Sequence, residues 1–212
     1  MERGYFITFE GPEGAGKSSQ IQMLGEALRF AGREVVCTRE PGGTPLAEAI
    51  REVVKGHQSG ETVHPVTELL LKEAARSQHV REVIRPALQA GKVVLCDRFY
   101  DSTTAYQGGG RGLDREAIAF LNRFASDGVV PDLTLLLDLP PERGFERTGE
   151  RAETQGEYDR FEAEKLDFHQ RVRTEFLALA ECEPQRVKVI SADLDRETVQ
   201  RDIRRLVDEL VR

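Results

Sequence analysis

A doubly wound α/β fold, with a five-stranded parallel sheet and helices on both faces, is predicted by three features of this 212-residue sequence. Five short apolar runs recur along it, at Tyr5 to Glu10, Glu34 to Thr38, Lys92 to Asp97, Leu133 to Asp138 and Val187 to Ser191. Helix-period patterns separate them, as crossover connections between parallel strands require. Residues able to do chemistry cluster just after the strands, at Gly11 to Ser18, Arg39-Glu40, Asp97-Arg98 and Asp138, where open α/β sheets bind ligands.

Taken in order, Tyr5-Phe6-Ile7-Thr8-Phe9 reads as a buried first strand. Gly11-Pro12-Glu13-Gly14-Ala15-Gly16-Lys17-Ser18 then has the spacing of a phosphate-binding P-loop. Glycine lets the backbone turn successive N–H groups inward around phosphate oxygens, and the helix beginning near Gly16 directs its positive end at them. Lys17 is placed to reach the β- and γ-phosphates of a nucleotide, and the Ser18 hydroxyl to ligate Mg²⁺. Ser19 to Ala31 is an amphipathic helix, which gives the loop a strand–loop–helix setting and predicts a P-loop NTPase fold. Further helices are expected at Pro45 to Lys55, Val66 to Ala90, Asp114 to Ser126, Pro141 to Thr148, Phe161 to Glu181 and Arg196 to Val211, with Pro86 distorting the end of the second. The stretch 148–160 is polar and lacks apolar periodicity, a composition shared by a mobile lid and a plain solvated loop.

Composition bounds the function. The length fits one domain, 1–212, with a sizeable core, and 39% hydrophobic with 32% charged residues is an ordinary soluble profile. No apolar run approaches the ~20 residues needed to cross a bilayer, and Met1-Glu2-Arg3-Gly4 leads straight into the first strand, so a cytoplasmic protein without a membrane partner is expected. A net charge of −7 repels polyanions at long range and disfavours general nucleic-acid binding, leaving a small phosphorylated ligand as the better fit. Cys37, Cys96 and Cys182 show no CxxC spacing and read as buried reduced thiols. His57, His64, His79 and His169 form no metal-ligand pattern and read as surface or loop residues.

P-loops serve switches, motors, transporters and kinases alike, so other motifs must choose. The Asn-Lys-x-Asp and Asp-x-x-Gly motifs of guanine-nucleotide switches are absent, since the sole asparagine, Asn122, precedes Arg123. A nucleotide-gated binding protein is therefore the weaker class. Asp97-Arg98 ends a strand beside the P-loop, where Asp97 can hold Mg²⁺ directly or through water and Arg98 can clamp a second phosphate. Transfer between two phosphorylated substrates needs such excess positive charge, because both must approach in line against mutual repulsion.

Further motifs are Phe9-Glu10-Gly11 with the P-loop, Thr38-Arg39-Glu40-Pro41-Gly42-Gly43-Thr44, Ala75-Arg76, Asp97-Arg98-Phe99, Ala105-Tyr106-Gln107-Gly108-Gly109-Gly110-Arg111-Gly112, Pro131-Asp132-Leu133-Thr134 and Asp159-Arg160-Phe161-Glu162. With these residues the chain resembles the bacterial thymidylate kinases nearly end to end. The resemblance implies ATP- and Mg²⁺-dependent phosphorylation of dTMP to dTDP, commonly by a homodimer; a relaxed deoxynucleoside-monophosphate kinase is the alternative. By position, it implies that Arg98 bridges the two phosphates, that Arg39 and Arg51 surround the dTMP phosphate, and that Arg76 reads a thymine carbonyl. Thr103 and Gln107 match polar contacts to the base, Tyr106 packs beside the deoxyribose, and Glu13 lies near the sugar 3′-hydroxyl and the metal. The family draws its catalytic arginine from the P-loop or from a lid. Pro12 to Ala15 supply none, so the lid at 148–160 is expected to, with Arg151 favoured over Arg147. One departure concerns the base: relatives place a phenylalanine one helical turn before the base-reading arginine, where this sequence has Lys72.

Overall fold

The structure, a computed structural model, describes residues 3–55, 62–147, 161 and 164–211. Five parallel strands form one sheet in the order β2-β3-β1-β4-β5. They are β1 (Tyr5–Glu10), β2 (Val35–Arg39), β3 (Val93–Asp97), β4 (Leu133–Asp138) and β5 (Val187–Ser191), within one residue of the sequence expectation at every end. β1 is central, and its alternation sorts side chains between the faces. Ile7 and Phe9 meet Ile21, Leu24 and Leu28 of α1 (Lys17–Phe30) and Val199, Ile203 and Val207 of α9 (Arg196–Leu210). Phe6, Thr8 and Glu10 alternate with them; Phe6 packs with Val94, Cys96 and Phe99.

The remaining helices are α2 (Pro45–Lys55), α3 (Pro65–His79), α4 (Arg85–Gln89), α5 (Tyr100–Thr103), α6 (Arg115–Ser126), α7 (helical over 141–147) and α8 (Leu166–Cys182). The single helix expected over Val66 to Ala90 is interrupted by a π-helical turn at Val80–Ile84. Pro86 explains the break: it lacks an N–H and its ring crowds the preceding turn, so the chain widens there before α4 resumes. α8 starts five residues later than expected, after Lys165 in an extended conformation. Asp114 and Asp195 cap α6 and α9, accepting from Ala117 N at 2.8 Å and Thr198 N at 2.9 Å, each worth about 1 kcal/mol.

A second π-helical segment, Thr104–Gly110, continues α5 and lies against α8. Its glycines reflect packing: a Cβ on Gly110 would come within 2.5 Å of the Phe168 ring. Two smaller expectations are corrected. Only Cys96 is buried; Cys37, on edge strand β2, and Cys182 are exposed. His79 and His169 are buried with partners inside: both nitrogens of His79 meet Glu40 and Thr38, and His169 Nε2 meets the Phe161 carbonyl. Among the described residues no helix is long and apolar enough to cross a membrane.

Candidate active site

The P-loop leaves β1 at Gly11, whose φ of 128° belongs to glycine and where a Cβ would lie 2.3 Å from the Leu137 carbonyl oxygen of β4. α1 then starts at Lys17 with no side-chain cap, so its first N–H groups remain available to an anion. Lys17 is buried and donates to the carbonyls of Gly11 (3.1 Å) and Pro12 (2.8 Å). Burial, followed by the nearby Arg98 charge, pulls its pKa down, a repulsion that an anionic phosphate would relieve. Ser18 Oγ donates to Asp97 Oδ2 at 2.9 Å, bringing together the two oxygen groups expected at the metal.

Arg98 sits between the P-loop and a cleft on the other side. Nη1 donates to the Gly11 carbonyl (2.9 Å) and Ser102 Oγ (3.1 Å); Nη2 donates to Glu13 Oε1 (2.5 Å) and Tyr106 OH (3.2 Å). Burial opposes its charge, but the Tyr106 phenol and the Glu13, Asp97 and Glu10 carboxyls more than offset that, so the guanidinium stays charged. Burial likewise disfavours ionised Glu13, yet Arg98 and Lys17 hold its carboxyl well below the usual range. Burial first, then Asp101, raises Glu10 from 4.5 to about 7 against the lowering influence of Arg98, Ser102 and the Phe99 N–H.

The cleft is walled by Glu13, Arg51, Arg98, Tyr106, Lys72 and Phe161. Its inner end reaches Arg76, Thr103, Phe99 and Pro41. Arg51 donates to the Pro41 carbonyl at 2.9 Å, next to the cis Glu40–Pro41 bond. Arg76 is buried and held by Glu40 (2.8 Å), Glu73 (2.6 Å), Asn122 (3.1 Å) and Thr103 (2.9 Å). Gln107 lies behind this wall: its Nε2 donates to the Glu68 carboxylate at 2.6 Å, while Oε1 is buried with no hydrogen-bond partner among the described residues. Arg39 is not brought to the cleft. From edge strand β2 its half-exposed side chain lines a separate pocket with Ser18 and Asp97, where Glu48 Oε2 accepts from it at 2.9 Å.

Lys72 does line the cleft, at the position where an aromatic ring was missed. Its ammonium lies 4.5 Å from the Phe161 ring centre and 5.4 Å from that of Tyr106, so its stem runs along the wall. Arg151 and the segment 148–160 lie outside the described residues. Arg147 is described, and its Nη1 reaches the carbonyls of Gly14 in the P-loop (3.4 Å) and Ala192 after β5 (3.0 Å). Ser102 is a site residue the sequence did not point to; Glu10 and Phe161 lie within segments that carry the family likeness, without a role of their own being legible there.

The chain and its fold are similar to known proteins. The thymidylate kinase family model matches residues 9–203. The thymidylate kinase of Pseudomonas fluorescens (strain Pf0-1) is 55% identical over 208 residues, covering 98% of this chain and 97% of the relative. That of Magnetococcus marinus is 52% identical over 206 residues, 97% and 96% of the two chains. The crystal structure of thymidylate kinase from Ehrlichia chaffeensis is similar at a TM-score of 0.77 and 34% identity, covering 97% of this chain and 99% of that one.

Proposed function

The chain belongs to the thymidylate kinase family, a phosphotransferase family that makes dTDP from dTMP, and we propose the following division of labour for its residues. The observation that carries it is Arg98, fixed at 2.9 Å from the Gly11 carbonyl of the P-loop and at the same time lining the cleft. A charge so placed touches both phosphates of an in-line transfer. ATP binds along Gly11, Pro12, Glu13, Gly14, Ala15, Gly16, Lys17 and Ser18, with the loop N–H groups and the start of α1 around the phosphates. Lys17 leaves its loop carbonyls for the β- and γ-phosphates and neutralises charge as it develops.

dTMP enters the cleft with its phosphate toward Arg51 and Arg98 and its base toward Arg76 and Thr103. Tyr106 lies beside the sugar, and Glu13 near its 3′-hydroxyl. Gln107, whose buried Oε1 has no donor among the described residues, stands behind that inner wall and becomes an acceptor for the base only when the wall opens on binding. Arg39 takes no direct part in this reading, since Glu48 holds it outside. The catalytic arginine over the transferring phosphate is Arg151.

Mg²⁺ fits the donor set: a hydroxyl and a carboxylate oxygen 2.9 Å apart suit a hard cation that takes its remaining ligands from water and phosphates. No cluster of three or more His, Cys, Asp or Glu side chains able to hold a metal occurs among the described residues. Ser18 and Asp97 would hold the ion, which would supply positive charge against the charge developing on the transferring phosphate. The enzyme acts as a cytoplasmic homodimer. Support for the dimer comes from Phe120 and Phe124 of α6, exposed and stacked with centroids 6.1 Å apart, and from exposed Val66 and Leu70 on neighbouring α3.

A coupled assay for ADP with dTMP, dUMP, dGMP, dCMP and no acceptor tests the reading. Turnover confined to dTMP, or strongest with it, supports it. Equal turnover of several acceptors favours a relaxed deoxynucleoside-monophosphate kinase, and nucleotide binding without turnover refutes the enzyme. Light scattering on the purified protein tests the dimer.

A further inference from the structure

Behind Arg98 lies a hydrogen-bonded chain with one direction. Arg98 Nη1 is 3.1 Å from Ser102 Oγ, and Ser102 Oγ is 2.5 Å from Glu10 Oε2. Arginine has only donors and, above pH 7 where Glu10 is ionised, its carboxylate has only acceptors, so Arg98 donates to the hydroxyl and the hydroxyl to Glu10. The other oxygen, Glu10 Oε1, accepts from the backbone N–H of Phe99 (2.7 Å) and Ser102 (3.3 Å). One carboxylate thus holds both the side chain of Arg98 and the turn that carries it. That turn needs holding: Arg98 has φ of 70°, a left-handed conformation a non-glycine residue keeps only where its surroundings impose it. Asp101 is close enough to influence Glu10 but is itself taken by Arg186, at 2.6 and 2.9 Å. Glu10 is therefore the carboxylate that answers to Arg98 from below, as Glu13 does from the P-loop.

We propose that Glu10, acting through the Ser102 hydroxyl, is a positioning residue that fixes where the Arg98 guanidinium stands between the donor and acceptor phosphates. The proposal rests on the reading of Arg98 as the bridge. A guanidinium free to move by an ångström would still bind a phosphate but would seldom be aligned for transfer, and misplacements of that size cost about a hundredfold in rate. Glutamine at position 10 disturbs the chain without changing its shape. The backbone N–H groups keep the amide oxygen on their side, so the amide nitrogen faces Ser102; two donors then converge on one hydroxyl whose own proton has lost its acceptor.

The test is kinetic, on Glu10→Gln, Ser102→Ala, the double variant and Arg98→Ala. In Glu10→Gln, kcat should fall about 10–100-fold while dTMP affinity measured calorimetrically without donor changes by no more than about threefold. Ser102→Ala should lose kcat in the same sense, and the double variant should be no slower than Glu10→Gln, because both remove one linkage. A side chain that merely supported the fold would lower the yield of folded protein without this split. If both single variants keep kcat within about twofold of the native enzyme, or if their losses multiply in the double variant, the proposal is overturned. Should Glu10→Gln fail to fold, Ser102→Ala decides alone. An Arg98→Ala enzyme with native kcat would instead overturn the bridging role of Arg98, and the two failures are distinguishable.

Discussion

Replacing Glu10 with glutamine should make the protein more stable at pH 8 and leave it unchanged near pH 5. Glu10 is fully buried, and burial followed by the Asp101 charge raises its pKa from 4.5 to about 7. Between those values the folded chain keeps a proton that the unfolded chain has released, so stability falls as pH rises through the window. Above pH 7 the loss is complete; at about 1.36 kcal/mol per pH unit it amounts to about 3 kcal/mol. Glutamine carries no such charge and still accepts the Phe99 and Ser102 N–H bonds, but it forfeits the hydroxyl bond to a charged carboxylate, about 2 kcal/mol. The net gain of about 1 kcal/mol corresponds to a Tm higher by about 2–4 °C for a chain of this size. At pH 5 the ionisation penalty shrinks to about 1 kcal/mol and the lost bond, there to a protonated carboxyl, is worth about 1 kcal/mol, so the two effects cancel. Thermal unfolding followed by circular dichroism at both pH values measures this directly, and all other titrating groups are common to the two proteins. A Tm difference that does not depend on pH, or a less stable variant at pH 8, would refute the reasoning. Combined with a reduced kcat, a stabilised Glu10→Gln protein would mark a charge kept for activity at a cost in stability.

Other perturbations separate the remaining roles. Lys17→Ala should abolish transfer while leaving the far-ultraviolet spectrum intact, since among the described residues the ammonium donates to loop carbonyls; near-normal kcat in a folded protein would sink the phosphoryl-transfer assignment. Arg151→Ala should lower kcat far more than dTMP affinity, whereas Arg147→Ala, which contacts Gly14 and Ala192, should chiefly weaken ATP; the reverse pattern in steady-state kinetics would exchange their roles. Lys72→Phe should tighten dTMP by no more than the ~1–3 kcal/mol of base stacking and leave ATP affinity unchanged. Calorimetry that finds weaker dTMP binding would show that Lys72, poised over Phe161, itself contacts the acceptor.

The order of elements, the bounds of the strands and the donor side of the site were legible in the sequence, because each depends on neighbours along the chain. A buried parallel strand announces itself as an unbroken apolar run, and a P-loop is eight consecutive residues whose backbone does the work. A distortion near the end of the helix carrying Pro86 is legible for the same local reason, though not the π-helical turn at Val80–Ile84 that splits it. The resemblance supplied the acceptor side by position, and the fold brought Arg51, Arg76, Arg98, Thr103 and Tyr106 to one cleft.

What only tertiary structure decided is which partners those side chains meet. Arg39 precedes Glu40 in a motif that points to phosphate, yet its place on the edge strand gives it to Glu48 instead. Cys37 is apolar in its sequence surroundings and exposed in the fold for the same reason. His79 looked like a loop residue and became buried because Thr38 and Glu40 satisfy both its nitrogens. Glu10 and Ser102 stand far apart along the chain and meet because β1 pairs with β3 and the chain turns back over the sheet at Arg98. No periodicity or spacing encodes such a pair: hydrogen bonds between distant residues depend on strand order and register, which the local sequence does not carry.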